Sequence, residues 1–316
     1  MKTLYPEIEP YAIHLFKRNR HHIHVEECGN PSGLPVVFLH GGPGSGCKAY
    51  HRRFFDPEKY RVVLVDQRGA GRSLPQGKLV GNTTADLIRD LEYIRHALQI
   101  ERWLVFGGSW GATLGLVYAQ RHPPKISGLV LRAAFLARQR DIDWFVGSGA
   151  DRIYPEQWDR FMESIPEPER HRPLSYLYAC LTGDDELARR RAARVWAQWS
   201  GQVIVGNEFE PSELTEHVSS EIVNQARIEL HYAVNGYFIP ENAILEQCGR
   251  IRRLPVILIH GRRDLVCPVE SSFSLSRRLP NSGLRVLPNA GHIAAGEEMI
   301  DALVSAADEM AERLDS

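Results

Sequence analysis

Gly107-Gly108-Ser109-Trp110-Gly111 constrains this chain more than any other stretch, because it demands a sharp turn between two segments of opposite character. The residues before it, Trp103-Leu104-Val105-Phe106, are apolar and partly β-branched, as a short buried parallel strand should be. After it, Ala112-Thr113-Leu114-Gly115-Leu116-Val117-Tyr118-Ala119 reads as a packed helix that Pro123-Pro124 ends. A strand that turns directly into a helix pushes its central residue into a strained backbone geometry, and glycines two positions to either side let neighbouring chains approach. Ser109 is thereby raised at a helix N-terminus, where the dipole favours developing negative charge. Taken alone, the pattern allows two readings of this serine: an exposed nucleophile, or a glycine-rich connection with no chemistry.

The surrounding chain alternates strand-like and helix-like runs. Pro35 to Leu39, Arg61 to Val65 and Leu129 to Leu131 suit buried strands. Between Thr84 and Leu98, Leu87, Ile88, Leu91, Ile94, Ala97 and Leu98 recur at helical spacing. This is the signature of β-α-β units and a mostly parallel sheet flanked by helices. Residues 138–245 break the rhythm: they are rich in Arg, Glu, Trp and Tyr and read as helical, with Asp185 to Trp199 an amphipathic helix. Strand-like runs resume at Pro255 to Ile259 and Leu284 to Leu287, before a helical tail from Glu297 to Leu314. The expected organisation is an α/β core of residues 1–137 and 246–316, with a helical insertion at 138–245.

A serine needs a base within hydrogen-bond reach and a third group to orient it. Asp264, in Gly261-Arg262-Arg263-Asp264, and His292, in Asn289-Ala290-Gly291-His292, each follow a strand, at the carboxyl edge of the sheet where open α/β sites gather. The order Ser109, Asp264, His292 is that of an α/β-hydrolase fold. Asp264 could instead cap its own loop. For the oxyanion, His40-Gly41-Gly42-Pro43-Gly44 can present the Gly42 N–H, and the Trp110 N–H would be the second donor. The Lys-Ser/Thr ending of a phosphate-binding loop is absent, so that glycine run is not read as a phosphate cradle. His21-His22-Ile23-His24 allows a metal site, but its tight spacing better suits a strand with alternating exposed imidazoles.

A net charge of -1 speaks against a nucleic-acid partner, and no apolar run reaches membrane-spanning length. The start lacks the apolar core of a secretion signal, and five cysteines fall without C-x-x-C spacing. A cytoplasmic protein with free thiols is expected, of undetermined oligomeric state.

The chain resembles the proline iminopeptidases (prolyl aminopeptidases) of the α/β-hydrolase superfamily. The resemblance is carried by Tyr5 to Tyr11, Glu27 to Pro31, His40 to Gly44, Asp66-Gln67-Arg68-Gly69 with Gly71-Arg72-Ser73, Asn82-Thr83-Thr84, Gly107 to Gly111 and Gly261 to Pro268. It implies a serine exopeptidase that releases N-terminal proline from peptides or small amides with a free amino end, with no cofactor and no metal. In that reading the insertion is a cap whose carboxylates hold the α-amino group. Glu229 matches one of these, and Phe135, Phe145 and Cys267 are candidate apolar walls of the pocket, with Phe135, at a strand end, equally readable as core. Two positions depart from the family pattern: Ser200 stands where a glutamate usually follows the tryptophan pair of Trp196-Ala197-Gln198-Trp199, and Ala233 where an aromatic residue usually follows His-Tyr. A neutral hydroxyl cannot supply the charge-assisted bond of a carboxylate. Glu208, Glu210 and Glu213 are the acids that follow Ser200 most closely. An esterase or amidase of relaxed specificity is therefore the alternative expectation. Haloalkane or epoxide chemistry is disfavoured, since it needs a carboxylate at the elbow.

Overall fold

The computed structural model describes residues 1–210 and 218–315. An eight-stranded sheet runs in the order β1-β2-β4-β3-β5-β6-β7-β8, with β1 Ala12–Arg18, β2 His21–Gly29, β3 Leu34–Leu39, β4 Tyr60–Val65, β5 Trp103–Gly108, β6 Ile126–Arg132, β7 Val256–Gly261 and β8 Ser282–Leu287. Strands β3 to β8 pair in parallel, whereas β1 pairs with β2 and β2 with β4 antiparallel. Buried parallel strands lack an alternating polar face, which is why residues 36–39 of β3, 103–106 of β5 and 256–259 of β7 are continuously apolar.

Side chains from the two faces of the sheet feed separate apolar clusters. Val37 and Leu39 of β3 pack with helices α1 (Thr84–Ala97), α2 (Trp110–Arg121) and α9 (Glu270–Arg278), while Val36 and Phe38 pack with α10 (Glu297–Asp315). Thr83 starts α1 by accepting the Asp86 N–H, a cap that satisfies one of the free donors of the first turn.

Between β6 and β7 the chain runs through α3 (Gln139–Phe145), α4 (Pro155–Glu163), α5 (Pro173–Thr182), α6 (Glu186–Val205), α7 (Ser220–Val234) and the short α8 (Ala243–Glu246). These helices have an apolar cluster of their own, including Phe161, Leu177, Leu181, Trp196, Trp199 and Leu230. Helix α6 is capped by the Asp185 carboxylate and extends six residues beyond the expected end at Trp199, to Val205. The antiparallel β1 was not legible in the sequence, since this edge strand exposes Ile13 and Leu15 and so carries no simple apolar-inward pattern.

The histidine cluster differs from expectation. His21-His22-Ile23-His24 is part of β2, but its imidazoles are not exposed: His21 is buried with its Nε2 on the Val80 carbonyl at 2.9 Å, and His22 and His24 are half-buried on the opposite face. Successive strand residues point to opposite faces, so these rings do not converge on one ion. All five cysteines are free. Among the described residues, no helix is long and apolar enough to cross a membrane.

Candidate active site

Ser109 sits between β5 and α2 with φ 55° and ψ -123°, and its N–H donates to the Arg132 carbonyl at 2.9 Å. The glycine brackets have a steric cause. A Cβ on Gly107 would overlap the Gly111 carbonyl, and one on Gly111 would overlap the Leu39 carbonyl. The elbow is thus pressed between its own helix and the end of β3, and its serine is turned toward the cavity above the sheet.

His292 and Asp264 reach this serine from the loops after β8 and β7. His292 Nε2 lies 3.1 Å from Ser109 Oγ, and His292 Nδ1 lies 2.8 and 3.0 Å from the two Asp264 carboxylate oxygens. Because a carboxylate only accepts, Nδ1 carries the proton and Nε2 is left to accept from the serine hydroxyl. Asp264 also accepts the Val266 and Cys267 N–H groups at 2.9 Å each, so it caps its loop and orients the imidazole at once. Burial pushes this carboxyl up, but His292, His260 and the Cys267 N–H together outweigh that and hold it below the ordinary aspartate range.

The stretches that hold the two expected oxyanion donors are joined by one glutamine, to which the sequence reading gave no role. Gly42 has φ +107°, and a Cβ there would lie 2.7 Å from the Gly44 nitrogen. Trp110 is the first residue of α2, so its N–H has no intrahelical acceptor. Gln67 joins the two stretches: its side-chain amide donates to the His40 carbonyl at 2.9 Å and accepts the Trp110 indole N–H at 2.8 Å. The Gln67 main-chain N–H donates to His40 Nε2 at 3.0 Å. Burial lowers the His40 pKa, which keeps that ring neutral and able to accept. The available signal was position: Gln67 follows β4 at the carboxyl edge of the sheet.

A cavity of about 320 Å³ opens from Ser109 and His292, and Phe135, Phe145, Ser200, Glu229, Ala233 and Cys267 all line it. Phe135 meets Tyr237 edge-on at 4.8 Å, and Phe145 meets Trp196 at 5.8 Å. Glu229 of α7 accepts the Trp196 indole N–H at 2.6 Å and the Gln225 amide at 2.8 Å. Burial raises its pKa, opposed by these two bonds. Asp141 also lines the cavity, but Arg138 holds it at 2.7 Å, whereas Glu229 has no cation among the described residues. Ser200 turns its hydroxyl back to the Ala197 carbonyl at 3.4 Å. Glu208 and Glu210 are exposed and do not line the cavity, and Glu213 is outside the described residues. Helix α7 is bolted to the core through Asn82, which receives the Tyr232 hydroxyl at 2.8 Å and the His231 ring at 3.0 Å.

Residues 35–298 match the α/β hydrolase fold family. The chain is 46% identical to the proline iminopeptidase of Xylella fastidiosa, over 98% of this chain and 99% of that one. It is 45% identical to the proline iminopeptidase of Neisseria meningitidis serogroup B, over 92% and 93% of the two chains. Among solved structures it resembles a hydrolase from Pseudomonas aeruginosa at a TM-score of 0.62 and 18% identity, covering 95% of this chain and 98% of that one, a likeness in fold alone. With identity of this level running nearly end to end over named relatives, the chain belongs to the proline iminopeptidase family of α/β hydrolases.

Proposed function

We propose that the protein is a serine exopeptidase that releases proline from the free amino end of peptides and small amides. The observation that carries this reading is Glu229, a carboxylate without a cation, held by two neutral donors in the cavity that Ser109 lines. Such a group suits a protonated amine, because a charge-assisted bond is about twice as strong as a neutral one. The helices of residues 138–245 then act as a cap whose inner wall carries the amine anchor, and the sheet edge carries the nucleophile.

In the reaction, Ser109 Oγ attacks the prolyl carbonyl carbon while His292 Nε2 takes the hydroxyl proton. The oxyanion faces the Gly42 and Trp110 N–H groups. His292 returns its proton to the leaving amine as the C–N bond breaks, and a water molecule deprotonated by the same ring then hydrolyses the prolyl ester. Asp264 orients the imidazole and stabilises its charged form. Phe135, Phe145 and Cys267 flank the prolyl ring. Five free thiols support work in a reducing compartment, the cytoplasm.

Turnover of proline amides against alanine, leucine and N-blocked proline amides tests this reading, and equal rates on blocked substrates would overturn it. Glu229→Gln is expected to lower kcat/KM for free-amine substrates about 10- to 100-fold, the range of a hydrogen bond to a charged group. The rate at which a fluorophosphonate labels Ser109 should barely change. Because burial raises the Glu229 pKa, its protonation should add to the acid limb of kcat/KM above the ordinary glutamate range, and that limb should be one proton less steep in the Gln variant, where only the general base must still be unprotonated. An unchanged slope would assign the extra proton elsewhere.

Gln67→Leu is expected to lower kcat about 10- to 100-fold at nearly constant KM, somewhat less than removal of an oxyanion donor outright. A variant that raises KM alone would show that Gln67 does not position the donors.

A second reading, an esterase or amidase of relaxed specificity, is favoured by Ser200 and Ala233, which leave the cavity one free carboxylate and a small side chain on α7. Simple acyl esters cleaved far faster than any free-amine substrate would establish it.

A further inference from the structure

Arg132, the last residue of β6, sets a guanidinium into the wall of the cavity that Ser109 lines. It packs against Gly108, the residue immediately before the nucleophile: a Cβ built on Gly108 would overlap Nη2 and lie 2.8 Å from both Cζ and Nε. One N–H group donates to the main-chain carbonyl of His292. No carboxylate pairs with Arg132 among the described residues. Arg132 is half-buried, whereas the buried arginines Arg52, Arg68 and Arg138 are answered by anions, Glu26 at 2.9 Å, Asp90 at 2.6 Å and Asp141 at 2.7 Å. A guanidinium has five N–H donors, and one carbonyl leaves most of them unused.

The cost of desolvating such a cation is offset only when an anion arrives. Burial accordingly pulls the Arg132 pKa down, with the Asp264 charge opposing. The cavity therefore carries two ionic groups without ionic partners, the Glu229 carboxylate from the helical insertion and the Arg132 guanidinium from the sheet edge, together with Ser109. A molecule that satisfies both has a cationic end and an anionic end. Consecutive residues stand about 3.8 Å apart, so the carboxylate of a dipeptide lies one residue beyond its scissile carbonyl. A guanidinium packed on the residue next to the nucleophile is at the matching range, and its planar fork suits a carboxylate.

We propose that Arg132 is a substrate-binding residue that receives the terminal carboxylate of a dipeptide, so that zwitterionic prolyl dipeptides are the preferred substrate class. This rests on the exopeptidase reading above and adds the leaving-group side to it. Lys48 also lines the cavity, but it is turned to Glu221 at 3.3 Å and serves as the control.

The experiment compares kcat/KM for Pro-Ala with that for Pro-Ala amide, both normalised to a proline arylamide, which has no carboxylate. The expected result is a 10- to 100-fold preference for the free acid, chiefly in KM, that falls to about one in Arg132→Met and persists in Lys48→Met. Equal rates on acid and amide overturn the proposal while leaving the exopeptidase reading intact, whereas release of proline from neither overturns that reading itself. A preference abolished by Lys48→Met and kept in Arg132→Met also overturns it. Since Arg132 supports the His292 carbonyl, its variant is judged by the acid-to-amide ratio and not by absolute rate. Should it fail to fold, the unmutated protein still decides. A Pro-Ala analogue with a methylene replacing the scissile carbonyl should protect Ser109 from fluorophosphonate labelling at lower concentration as the acid than as the amide, and equal protection rejects the assignment.

Discussion

Ser109→Ala is expected to lower kcat/KM on proline amides by about 10⁴- to 10⁶-fold, since removal of a serine nucleophile leaves only the catalysis of the oxyanion donors and binding. The fold should survive, because the hydroxyl faces the cavity and its partner His292 has Asp264 on the other side. Steady-state kinetics, loss of fluorophosphonate labelling and an unchanged thermal unfolding curve are the readouts. Activity within tenfold of the unmutated protein would remove Ser109 from the mechanism. The backbone supplies an internal control: at φ 55° a non-glycine residue is strained by about 1–3 kcal/mol. Ser109→Gly should therefore be as inactive as Ser109→Ala yet unfold at a higher temperature, the signature of strain held at a site of chemistry.

Asp264→Asn is expected to cost about 10⁴-fold in kcat with KM little changed. An amide in place of the carboxylate can donate to His292 Nδ1, which favours the tautomer whose Nε2 carries a proton and cannot take one from Ser109. Asparagine still offers one oxygen to the Val266 and Cys267 N–H groups, so the loop should stay in place. The two proteins should also differ in acid. The folded-state pKa of Asp264 is depressed, so its contribution to stability is present above the ordinary value near 3.8 and is lost as pH falls through the depressed value. The difference in Tm should accordingly hold from neutral pH down to about pH 5 and narrow below pH 4. A difference that widens in acid would mean that Asp264 is not ionised in the fold. A rate within tenfold of the unmutated protein would make it a loop cap and nothing more.

Much of the scaffold was legible because its signals are local. The run Trp103 to Phe106 begins β5, and the glycine-flanked Ser109 turns into α2 as the pattern required. The helix over Thr84 to Leu98 and the strand at Arg61 to Val65 were readable from apolar spacing, since packing rewards the same periodicity that the sequence displays. The histidine run was misread for the same reason. A strand was correctly expected, but alternation says which residues share a face and not which face is covered. The β1–β2 hairpin and the Val80 carbonyl bury His21.

Ser200 and Ala233 were singled out as departures from a family pattern, and both do line the cavity. What surrounds them was not legible. Gln225 stands one helical turn before Glu229, a spacing that places both on one face, yet only the crossing of α6 and α7 brings the Trp196 indole to the same carboxylate. Gln67 stands in one of the stretches that carry the resemblance, two residues past β4, and Arg132 ends β6, but neither residue announces its contacts. Their importance comes from what the neighbouring strands deliver to them.

The elbow, the chain order of Ser109, Asp264 and His292, and the class of fold were readable from local signals, because each depends on backbone sterics within a few residues or on the apolar period of a single element. Which charges have partners emerges only from packing. Ser109 and His292 are 183 residues apart in the chain, and Trp196 and Glu229 are 33 apart. Contacts over such separations are set by how sheet and helices pack, so a carboxylate without a cation and a guanidinium without an anion become visible only once every other charge has found its place.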